Sequence, residues 1–137
     1  MRNLIPFALV AAIVGCSTAP QQPAEMSPKA QQRLAKLLDG KVPGTPQSCL
    51  PEYRQEDMIA IDGNTLVFRD SPGRLWVNKP QGDCSLLESG PYALLTRRAG
   101  GIGLCRGDIG QVLDTMSGAT VGSCVMGDFI PYTRPGA

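Results

Sequence analysis

The stretch MIAIDGNTLVFRDSPGRLWVN, residues 58–78, decides the fold class. Met58 to Ile61 and Thr65 to Arg69 are apolar-rich runs on either side of Asp62-Gly63, the pair favoured in a type I′ hairpin turn. Asp70-Ser71-Pro72-Gly73 supplies a second turn, and beyond it Leu75 and Val77 alternate with Arg74, Trp76 and Asn78. Three short strands joined by tight turns can only pair antiparallel, because parallel neighbours need a long crossover.

Downstream the same grammar continues. A longer loop carries Cys84, Tyr92 to Arg98 reads as a fourth strand, and the Gly-rich AGGIG precedes LCRGDI. Gln111 to Asp114 and Val121 to Val125 bracket a turn at Met116-Ser117-Gly118-Ala119. Phe129 to Thr133 closes the series, with Pro131 expected on an edge strand because proline cannot donate to a ladder. The expected fold is mainly β: a small antiparallel sheet or partly open barrel of five to seven strands over residues 49–134, with 135–137 as a tail.

Upstream, residues 27–40 read as one short helix. Ser27 suits the N-cap and Pro28 the first helical position, Ala30, Leu34, Leu37 and Leu38 form one narrow apolar face, and Gly40 ends it. That face either caps the domain's own core or meets a partner or membrane surface. Residues 41–48, KVPGTPQS, read as a Pro/Gly linker, and 16–26 as a polar tether with nothing to bury.

Composition excludes whole classes of chemistry. The 137 residues contain no histidine, so no Ser-His or Cys-His pair, histidine metal site or histidine pH switch can be built. Thirteen Lys and Arg stand against twelve Asp and Glu, which leaves no basic footprint for nucleic acid. The residues call for no cofactor.

The apolar run Leu4 to Gly15 follows a single positive charge, Arg2, and precedes STAPQQPAEM, the shape of a cleaved export signal over 1–15. As a helix the run would cover roughly 18 Å, short of a bilayer core of about 30 Å. Ile13-Val14-Gly15-Cys16 resembles a bacterial lipobox. The resemblance implies diacylglycerol on the Cys16 sulfur, cleavage before it and acylation of the new amino terminus, and two or three acyl chains anchor a protein stably where one does not. Ser17 in place of aspartate resembles the outer-membrane sorting class, so the expected location is the envelope, anchored most simply in the outer membrane and facing the periplasm.

With Cys16 set aside, Cys49, Cys84, Cys105 and Cys124 form an even set in a small domain, and two disulfides are expected. Spacing leaves three pairings open; the favoured one joins Cys84 to Cys105, flanking the fourth strand, and Cys49 to Cys124, joining the two ends of the sheet. A zinc site is the rival, but no C-x-x-C pair occurs.

Several motifs invite stronger readings. Arg106-Gly107-Asp108 spells an integrin-recognition tripeptide, though a Gly-Asp step beside Cys105 is more simply a turn. Gly-Asp recurs at Asp83, Asp108 and Asp128, three acids that either bond local backbone amides or converge into the carboxylate pair of a small hydrolase. The glycines from Gly100 to Gly103 fail the dinucleotide pattern, since Arg106 stands where the third glycine belongs, and no S-x-x-K occurs. Trp76, Tyr92 and Tyr132 could line a groove but are expected in the core.

Ile61-Asp62-Gly63-Asn64-Thr65-Leu66-Val67, Leu75-Trp76-Val77, Cys84, Leu104-Cys105-Arg106-Gly107-Asp108-Ile109, Cys124 and Ile130-Pro131 follow in an order that resembles an uncharacterised family of small proteobacterial envelope proteins, a domain of unknown function. That resemblance implies export and a four-cysteine framework, and it brings no activity or catalytic residue. The expected function is a non-enzymatic binding, accessory or inhibitor module, held to a membrane by its lipid and meeting an envelope protein partner. A small hydrolase using paired carboxylates is the alternative.

Overall fold

A computed structural model of the chain describes residues 25–50, 57–97 and 103–136. The expected signal segment, Cys16 and nearly all of the expected tether lie outside the described residues, as does most of the AGGIG stretch.

Helix α1 spans Pro28–Leu38. Ser27 is extended and its hydroxyl accepts the Ala30 N–H at 3.2 Å, satisfying a backbone donor that has no intrahelical partner. At the other end Lys41 Nζ donates to the Leu37 carbonyl at 3.1 Å, placing a cation where the helix dipole favours one.

Eleven short strands are described. They are β1 Val42–Pro43, β2 Cys49–Leu50, β3 Met58–Asp62, β4 Thr65–Ser71, β5 Arg74–Asn78 and β6 Gln81–Asp83. After a 3-10 turn at Ser85–Glu88 come β7 Tyr92–Arg97, β8 Leu104–Cys105, β9 Ile109–Asp114, β10 Thr120–Val125 and β11 Phe129–Thr133. Their ladders are antiparallel, as expected, but they form three sheets instead of one: five strands in the order β1-β11-β5-β4-β3, four in the order β6-β10-β9-β7, and the pair β2-β8. Neither larger sheet closes into a barrel.

The two larger sheets pack face to face. Leu66, Phe68, Trp76 and Phe129 from the five-stranded sheet meet Leu94, Val112 and Cys124 from the four-stranded one, with Leu50 and Leu104 of the small ladder in the same core. Phe68 and Phe129 lie with ring centroids 5.7 Å apart and planes tilted by 58°, an arrangement aromatic pairs favour. On the opposite face of the five-stranded sheet, Ile61, Val67, Leu75 and Val77 are covered by Ala30, with Leu34, Leu37 and Leu38 packed against them. The helix stripe therefore caps the domain's own core, and Arg33 Nη1 ties it down by donating to the Ala60 carbonyl at 2.9 Å. The layers run helix, five-stranded sheet, four-stranded sheet. Because β4 and β5 are covered on both faces, their buried runs, Thr65 to Phe68 and Leu75 to Asn78, are continuous instead of alternating.

Four local expectations are corrected. The first hairpin is real, but Asp62 pairs with Thr65, so Gly63-Asn64 forms the turn, and neither residue has a positive φ, which excludes type I′. Asp62 Oδ1 instead accepts the Asn64 N–H at 3.0 Å. Glycine is needed at 63 for proximity: a Cβ there would stand 2.8 Å from Ser85 Cβ and 2.9 Å from Ser85 Cα. Second, residues 41–48 are not a bare linker. Val42 pairs with Thr133, Gly44 N–H donates to Pro131 O at 2.7 Å, and Gln47 and Phe129 exchange two bonds of 2.8 Å, so the segment forms the sheet's edge. Third, Pro131 is not on an edge strand, since β11 lies between β5 and β1. Its carbonyl serves Gly44, and in an antiparallel ladder a residue's N–H points the same way as its C=O, so the missing donor costs β5 nothing. Fourth, the expected disulfide pairing is overturned. Cys49 bonds Cys105, and Cys84 bonds Cys124. Register explains both: Cys49 is directly opposite Cys105 in β2-β8, and Cys84 lies just beyond the Gly82 that pairs with Cys124. The favoured Cys84–Cys105 bridge would have had to span β7, whose six residues extend about 20 Å.

Candidate functional site

The acidic residues flagged by their Gly-Asp steps stand in three different local settings. Asp83 lies on the exposed strand β6 and its Oδ1 accepts the Ser85 N–H at 2.9 Å; the Ser85 hydroxyl and N–H hold its carboxyl below the usual carboxylate range. Asp108 is buried, and its Oδ2 accepts the Cys105 N–H at 2.8 Å. Asp128 faces Arg106, whose Nη1 reaches its two oxygens at 3.0 and 3.3 Å. One acid points outward from a sheet, one points inward and one is ion-paired. A glycosidase acid needs a carboxyl pushed up by an apolar pocket, and Asp83 is shifted in the other direction.

The Arg-Gly-Asp tripeptide is spent on the same turn. Gly107 N–H donates to Met126 O at 2.9 Å, Met126 N–H to Asp108 O at 2.9 Å, and Arg106 N–H to Ser48 O at 2.6 Å. With Arg106 paired and Asp108 buried, the tripeptide pins β8 to its neighbours instead of offering a free arginine and aspartate to a receptor.

The four cysteines beyond Cys16 are all oxidised, so none is left as a thiolate for zinc, and among the described residues no group of three His, Cys, Asp or Glu side chains could hold a metal ion. Trp76 and Tyr132 fall in different cores, on opposite faces of the five-stranded sheet, and Tyr92 packs against the first core only, so the aromatics do not share a groove. The Trp76 indole N–H donates to Asp70 Oδ2 at 3.2 Å, under the Arg74 guanidinium 5.7 Å from its ring. Another Asp-led turn is at the β9–β10 tip, where the Met116 N–H donates to Asp114 Oδ1 at 2.8 Å and holds that carboxyl below its ordinary range.

What the sequence reading missed is the outward face of the four-stranded sheet. Register places Arg97, Ile109, Val125 and Gln81 in one cross-strand row, and Leu95, Gln111, Ser123 and Asp83 in the next. Ile109 is 50% exposed, Leu95 and Val121 44% and Val125 41%. Ile109 and Val125 are direct partners, so their side chains form a continuous apolar ridge bordered by amides and hydroxyls. Its signal was present in the sequence: Ile109 and Leu113 have one parity along β9 and Val112 the other, more apolar side chains than a strand with a single buried face requires. This ridge, on the side of the molecule away from α1, is the candidate interaction surface.

The fold and its sites define a two-disulfide β-sandwich capped by one helix. The chain matches no protein-family model, no curated protein and no solved structure.

Proposed function

We propose that the protein is a lipid-anchored, non-enzymatic binding module of the bacterial envelope, tethered through Cys16 and meeting a protein partner through the outward face of its four-stranded sheet. The observation that carries this reading is the ridge of the Ile109–Val125 pair with Leu95 diagonal to it, exposed where a sheet without a partner would present polar side chains. The anchoring half is supported by the resemblance of Ile13-Val14-Gly15-Cys16 to a lipobox and by the polar tether behind it. No described helix is long and apolar enough to cross a membrane.

A photocrosslinking amino acid at position 125 or 109, in cells expressing the full chain, tests the reading. Crosslinked bands of the same size should form from both positions and be absent from position 32 on the exposed side of α1. Equal crosslinking from all three positions, or none from 109 and 125, contradicts it.

A further inference from the structure

We propose that Cys49–Cys105 is a thiol-exchange site, opened and closed by an external dithiol, whereas Cys84–Cys124 is a permanent structural bond. The two disulfides differ in access. Cys84 and Cys124 are 0% and 2% exposed inside the main core, but Cys49 and Cys105 are both partly exposed. Exchange needs a thiolate to reach a sulfur along the S–S axis, so a buried bond opens only when the core does, and an accessible one opens from the native state.

The surroundings of the accessible bond also differ. It joins directly opposed residues of β2 and β8, a ladder that among the described residues has one other pair, Leu50 and Leu104. Those two leucines are 1% and 0% exposed and belong to the main core, so the ladder keeps its apolar half when the sulfurs part. The Asp108 carboxylate on the Cys105 N–H and the Arg106 N–H on Ser48 O hold the backbone on either side of the bond independently of it. The bond can therefore break without disturbing the main core, whereas Cys84–Cys124 lies inside that core, between β10 and the end of β6.

The chemistry balances with a dithiol as the reductant. One of its thiolates attacks a sulfur of Cys49–Cys105; that S–S bond breaks, and the other cysteine leaves as a thiolate that takes a proton from water. The second thiol of the reductant, after losing its proton, attacks the mixed disulfide and releases the first cysteine. Two electrons pass to the protein, which ends with two thiols, and the dithiol ends as a disulfide. The reverse reaction, with an oxidised dithiol, closes the site.

The purified full chain, treated with dithiothreitol in native buffer and quenched with one alkylating label before full reduction and a second label, measures both bonds by peptide mapping. Cys49 and Cys105 should acquire the first label at least about tenfold faster than Cys84 and Cys124, with the near-ultraviolet circular dichroism of the fold retained. Simultaneous labelling of all four, earlier labelling of Cys84 and Cys124, or loss of the dichroism as Cys49 and Cys105 react would each overturn the proposal.

Discussion

Asn78→Ala is expected to destabilise the protein by about 3 kcal/mol or more, because three backbone groups lose their partner at once. Asn78 is the last residue of β5 and is fully buried. Its Nδ2 donates to the carbonyls of Gly127 and Asp128 at 2.8 and 3.2 Å, and its Oδ1 accepts the Gly127 N–H at 3.1 Å. The amide is thus the clasp between the five-stranded sheet and the connection leaving β10 for β11. The three bonds are part-buried, and a net contribution of about 1 kcal/mol from each sets the size of the effect. The clasp is tight: a Cβ on Gly127 would stand 2.5 Å from the Lys79 carbonyl oxygen, so the connection cannot shift to find other partners. Urea unfolding monitored by tryptophan fluorescence measures the difference, with Trp76 as the chain's one tryptophan. A loss under 1 kcal/mol would show that water or the backbone replaces the amide.

Removing the buried disulfide should cost still more. Cys84 and Cys124 are 40 residues apart, and closing a loop of that length restricts the unfolded chain by about 4 kcal/mol. Cys84→Ala combined with Cys124→Ala forfeits that term and also empties two positions in the core shared with Leu94, Val112 and Met126. For a domain of about 100 residues the melting temperature should fall by about 15 °C or more in a thermal scan of the double variant against wild type. A fall of only a few degrees would mean that the β6–β10 pairing and the surrounding core hold without the bond. Both effects are large against the 5–15 kcal/mol typical of a domain's whole stability.

Local chemistry was legible and long-range register was not. Ser27, Pro28 and the Ala30, Leu34, Leu37, Leu38 stripe announce α1 because capping and amphipathicity act within a few residues. The β3–β4 and β4–β5 hairpins are legible for the same reason, although Asp62-Gly63 suggested a turn type whose dihedrals Gly63 does not adopt. Residues 41–48 look like a linker because their Pro and Gly content is local, and the strand that pairs with them, β11, begins more than 80 residues later. Cysteine spacing likewise identifies an even set without its connectivity, which follows from β2 meeting β8 and β6 meeting β10. The second large sheet went unseen as a separate layer because β7, β9 and β10 carry apolar side chains of both parities, one set facing the core and the other forming the outward ridge.

The reading of the whole protein turns on Cys16, since an anchor there places the domain at a membrane and leaves the other four cysteines to pair among themselves. Labelling of growing cells with radioactive palmitate, followed by recovery of the protein, tests it most directly. Wild type should carry the label and Cys16→Ala should not; a labelled Cys16→Ala protein, or an unlabelled wild type that reaches the same abundance, would contradict the account.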